Sequence, residues 1–118
     1  MKKQPFIKRL LFALAGVRST LAEERSFRTQ VFCAGGALLL LVAIRPKPIW
    51  WAIIATSVFA VLAAEMFNTA LETLVDHLHP VRHPMIGRAK DCAAGGVLLL
   101  SLSAVLVALA MIFDTCFT

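Results

Sequence analysis

Glu65, Asn68, Glu72 and Asp76 fall at helical spacing within the stretch "AEMFNTALETLVD", the continuation of a long apolar run. At about 100° per residue the four share roughly a quarter of a helix circumference, so a single face carries all the polarity. An ionised carboxylate at membrane depth costs about 2.5 to 3.5 kcal/mol on insertion scales, so each must be paired, protonated or bound to a cation. Glu65 and Glu72, two turns apart with Asn68 between them, offer hard oxygen ligands of the kind Mg²⁺ takes while keeping several waters. The structural alternative is a stripe that forms interhelical hydrogen bonds or ion pairs with Arg88 and Lys90 and so holds an oligomer together.

Two further groups carry chemistry. "GRAKD", Gly87 to Asp91, places backbone N–H groups, two cations and a carboxylate at the start of a helix, a cradle suited to phosphate. Its plain alternative is a positively charged membrane boundary. "EERSFR", Glu23 to Arg28, puts Glu24 just ahead of an apolar segment, and its alternative is a solvated turn with a local Glu and Arg pair.

The elements that must position these residues follow from composition. With 118 residues, 59% of them hydrophobic, the chain is too apolar for an ordinary soluble domain, and a membrane protein is expected. Three spans are expected, over about 29–44, 49–78 and 88–117, with the breakers "RPKP" and "HLHPVRHPMIGR" between them. Trp50 and Trp51 suit a membrane interface at the start of the second span. Ahead of the first, over about 5–22, Phe6, Ile7, Leu10, Leu14 and Val17 share one side of a helical wheel, which predicts an amphipathic helix lying on the membrane surface. No cleavable signal is expected, because Lys8 and Arg9 interrupt the first apolar run. One domain covering residues 1–118 accounts for the whole, an all-α membrane architecture.

Charge sets the expected orientation. Lys2, Lys3, Lys8, Arg9, Arg18, Arg25 and Arg28 precede the first span, and Arg82, Arg88 and Lys90 lie between the second and third, whereas the first loop has only Arg45 and Lys47. The N-terminus and second loop are therefore expected in the cytoplasm and the C-terminus outside. The net charge of +5 reflects orientation and anionic headgroups, not nucleic acid, since no stacking aromatics accompany the basic residues. Cys33, Cys92 and Cys116 form no CxxC pair, and neither a zinc site nor a disulfide framework is expected. At about 1.5 Å per residue, residues 49–64 cover about 24 Å, which sets Glu65 near the inner boundary of a ~30 Å hydrocarbon core.

"AEMFNTALETLVD", then "HPMIGRAKD", with "EERSFR" upstream, resembles the small integral-membrane diacylglycerol kinases of bacteria from Lys8 onward. The resemblance implies a homotrimer of three-span subunits in the bacterial inner membrane that phosphorylates diacylglycerol with MgATP. It implies Glu65 as general base, Asn68 as a positioning group, Glu24 and Glu72 as Mg²⁺ ligands, Lys90 and Asp91 as nucleotide contacts, and His83 in the nucleotide-binding loop. Departures from the family pattern are Pro5 where an Arg is frequent, Phe12 where an aromatic hydroxyl is common, Val81 in place of an acid, and Ala94, which has no hydroxyl. None removes the base or a metal ligand, so the resemblance implies activity with altered nucleotide affinity or substrate preference. Undecaprenol or another membrane alcohol is the alternative substrate; "EERSFR" lacks the Asn and the His-containing continuation of the undecaprenol type, which favours diacylglycerol. The alternative from another class is a non-catalytic oligomer, such as an ion or proton pathway, but a relay has no need of Glu24 and "GRAKD".

Overall fold

A computed structural model describes residues 3–118; Lys2, counted above among the N-terminal basic residues, lies outside them. The described residues form four helices and no strand: α1 (Phe6–Glu23), α2 (Arg25–Ile44), α3 (Pro48–Leu78) and α4 (Pro84–Phe117). Three of them, α2, α3 and α4, are long and apolar enough to cross a membrane. At about 1.5 Å per residue α3 and α4 run to roughly 46 and 51 Å, longer than the thickness of a ~30 Å hydrocarbon core.

Local chemistry explains the helix ends. Pro48 and Pro84 occupy first-turn positions, where a missing N–H costs no helical hydrogen bond. The Nδ1 of His83 accepts from the Met85 N–H at 3.1 Å, so α4 is capped by an imidazole and starts at Pro84, ahead of the span expected from 88. At the end of α2, Arg45 adopts a left-handed conformation with φ 51°, which closes the helix ahead of Pro46. Helix α2 likewise extends back to Arg25, where sequence placed a span from about 29.

The fold is built on α3 packed against α4, with α2 alongside and α1 touching α2 and α3. Leu41, Ile54 and the fully buried Met111 form the core, with Trp50, Trp51 and Val107 against it. Beyond that core, few side chains are buried, and Phe32, Phe59 and Leu106 stand at 85%, 71% and 66% exposure. Apolar side chains on helices of this length are stable facing acyl chains or further helices, because lipid exerts no hydrophobic penalty on them. All three cysteines are free and exposed.

Candidate active site

The site is assembled where α2, α3 and the α1–α2 junction meet. Glu65 is buried, at 6% exposure, despite its carboxylate. The Gln30 side chain of α2 faces it, and Glu24 and Glu72 lie within Coulombic reach of it. Arg25, Ser26, Thr29 and Gln30 line a shallow cavity of about 290 Å³ over this carboxylate.

Glu24 is brought there by an elbow. It is the one non-helical residue between α1 and α2, with φ −104° and ψ 114°, and its N–H bonds the Thr20 carbonyl at 2.8 Å. The Arg28 guanidinium donates to the carbonyls of Leu21 at 3.2 Å and Ala22 at 2.8 Å, satisfying acceptors at the end of α1 that no helical N–H can reach. Beneath the elbow, the Thr20 hydroxyl donates to the Gly16 carbonyl and Phe27 is buried. Glu24 thus borders a cavity of about 430 Å³ against Met66, Thr69 and Thr73 of α3.

Along the stripe, the Asn68 amide donates to a Glu72 carboxylate oxygen at 3.3 Å, while the Asn68 carbonyl oxygen is buried with no partner. One turn further on, Asp76 forms an ion pair with Lys90 of α4. Lys90, Asp91, Arg82 and His83 then line a cavity of about 480 Å³ at the α3–α4 loop, where the His79 and His83 rings meet edge to face at 6.1 Å.

The expected residues therefore form two groups. Glu65 has Glu24 at the elbow and Glu72 on its own helix within Coulombic reach, and Asn68 bonds Glu72, while His83, Lys90 and Asp91 gather at the loop. Along α3, Glu65 is eleven residues, roughly 16 Å, from Asp76, the partner of Lys90, whereas Glu72 is one turn, about 6 Å, from it. Arg28 and Gln30 were not singled out as functional from sequence; Gln30 is the last polar residue before "VFCAGGALLLLVAI", and that position was its only signal. Among the described residues the sole ion pair is the one between Lys90 and Asp76, so Glu24, Glu65 and Glu72 make no direct ion pair, although Arg25 lines the cavity over Glu65. Nor do three His, Cys, Asp or Glu side chains converge on one point among them. This donor set fits Mg²⁺, which takes one or two carboxylates and completes its shell with water and substrate phosphates.

A model of the family described as prokaryotic diacylglycerol kinase matches residues 11–112. The chain is 36% identical over 97 residues to a diacylglycerol kinase of Synechocystis, covering 81% of this chain and 55% of that protein, so it spans little more than half that relative's length. It is 33% identical over 88 residues to the diacylglycerol kinase of Haemophilus influenzae, covering 75% of each. It is also 30% identical over 104 residues to the undecaprenol kinase of Bacillus subtilis, covering 88% of this chain and 85% of that one. With the match reaching into all four helices and taking in both groups of site residues, the chain belongs to the prokaryotic diacylglycerol kinase family.

Proposed function

We propose that this family member is a bacterial membrane lipid kinase that transfers the γ-phosphate of MgATP to the hydroxyl of diacylglycerol, giving phosphatidic acid and ADP. The observation that carries the reading is the buried Glu65 carboxylate with Glu24 and Glu72 near it and no direct ion pair to any of the three among the described residues. Glu65 accepts the hydroxyl proton as the lipid oxygen attacks the γ-phosphorus and the bond to the ADP oxygen breaks. Glu24 and Glu72 would hold magnesium, which supplies charge neutralisation on the transferring phosphoryl group. Asn68 orients Glu72 through its amide and has a free carbonyl oxygen for a further partner. Lys90, Asp91 and His83 take the nucleotide at the loop cavity.

An apolar cavity of about 330 Å³ begins at Gln30, beside Glu65, and continues along α2, α3 and α4 past Val61 and Ala104 to Ile54 and Ala108. Its walls suit an acyl chain, which supports a lipid alcohol as acceptor. The charge distribution supports a cytoplasmic N-terminus and α3–α4 loop with the C-terminus outside, in a multi-pass inner-membrane protein. Helix α1 then lies on the cytoplasmic surface. A homotrimer would cover part of the exposed apolar surface of α2 to α4. Undecaprenol is the second substrate reading, favoured by the likeness to the Bacillus subtilis enzyme.

The test is transfer from γ-labelled ATP to a panel of membrane alcohols by purified protein in lipid. Labelled phosphatidic acid as the dominant product supports the proposal; label in undecaprenol alone selects the second reading, and no transfer to any alcohol overturns both.

A further inference from the structure

The Asp76–Lys90 ion pair has a placement that helix stability does not explain. Asp76 lies in the last turn of α3, at the negative end of the helix dipole and one turn from the like charge of Glu72. Both neighbours disfavour a carboxylate there. The side chains are 33% and 63% exposed for Lys90 and Asp76, and ion pairs this open to water add little to folding stability. Both residues nevertheless border the loop cavity, together with Arg82, His83 and Asp91.

We propose that Asp76 is a positioning residue for nucleotide binding: its carboxylate holds the Lys90 ammonium at the rim of the loop cavity, where that cation meets the phosphates of an incoming nucleoside triphosphate. The inference rests on the proposed MgATP-dependent kinase activity. A lysine side chain has four rotatable bonds and a single point charge, so its usefulness to a phosphate depends on where it is held beforehand. Asp76 supplies that constraint across the α3–α4 junction. Because the pair is exposed, its exchange for a phosphate oxygen needs no rearrangement of buried charge.

The experiment compares Asp76→Asn and Asp76→Glu with the unaltered protein in lipid, reading both the dissociation constant for MgATP and steady-state kinetics. Asp76→Asn is expected to weaken MgATP binding and raise its KM by about three- to tenfold, with the KM for diacylglycerol unchanged. Asp76→Glu, which keeps the charge, is expected to restore both values to within about twofold. An Asp76→Asn protein that binds MgATP as well as the unaltered one or better overturns the inference, as does an Asp76→Glu protein as impaired as Asp76→Asn. If the unaltered protein binds MgATP, and Asp76→Asn weakens that binding, but no alcohol is phosphorylated, the kinase reading fails while the positioning role of Asp76 stands.

Discussion

Asn68 donates its amide N–H to Glu72 at 3.3 Å, one turn along α3, and keeps its own carbonyl oxygen buried without a partner. The amide is therefore a neutral spacer in a stripe of carboxylates, orienting one of them without adding charge. Asn68→Asp inserts a further carboxylate between Glu65 and Glu72 and removes the donor. Phosphate transfer is expected to fall about 10- to 100-fold, in line with losing a residue that orients a metal ligand. A labelled-ATP assay at rising Mg²⁺ checks this, and turnover within a fewfold of the unaltered protein would remove Asn68 from the site.

Glu65→Gln preserves shape and hydrogen-bonding reach but removes the basic oxygen. Turnover is expected to drop roughly 10²- to 10⁴-fold, the usual range for a general base, while MgATP binding persists. Full activity in this variant would end the assignment of Glu65 as base.

The elbow at Glu24 depends on Arg28, whose guanidinium ties α2 to the last carbonyls of α1. Arg28→Met leaves Glu24 in place chemically but frees the junction that aims it. The Mg²⁺ concentration for half-maximal activity is expected to rise about tenfold, as for loss of a residue that orients a metal ligand. An unchanged magnesium profile would show that the elbow does not serve the metal. Glu72→Gln tests the second carboxylate in the same titration and is expected to raise the requirement or abolish turnover.

At the far end of the bundle, the Trp50 indole N–H donates to an Asp114 carboxylate oxygen at 2.9 Å, joining the start of α3 to the end of α4. Trp50→Phe keeps most of the apolar contact and removes the indole donor to Asp114 Oδ2, leaving the Thr118 hydroxyl on Oδ1. Unfolding in mixed detergent is expected to cost about 1 kcal/mol less, with turnover unaltered, because Trp50 lies in the first turn of α3, roughly 22 Å along the helix from Glu65. A large loss of activity at unchanged stability would contradict a purely structural role.

Much of this protein was legible as one-dimensional pattern. Apolar run lengths, the prolines at 46, 48, 80 and 84, and the 100° spacing of Glu65, Asn68, Glu72 and Asp76 pointed to the helices and the polar face. A membrane helix satisfies its backbone hydrogen bonds within its own segment, so neighbours three and four residues apart decide it. A break between the surface helix and the first span was expected over about 23–28, but not its contraction to the single residue Glu24, for "AEERSFR" contains no glycine or proline; α1 turns away there and sets Gly16 beside Met66. The suggested pairing of the stripe with Lys90 occurs at Asp76, not at Glu65 or Glu72.

The sequence by itself determined which segments are helical, which face of α3 is acidic and which family the motifs resemble. Tertiary structure alone decided that Gln30 faces Glu65, that Lys90 reaches across to Asp76, and that Trp50 bonds a residue 64 positions away. Those contacts depend on how α2 and α4 rotate about their axes when packed on α3, and that rotation is set by the summed shape of many side chains, which no local spacing encodes.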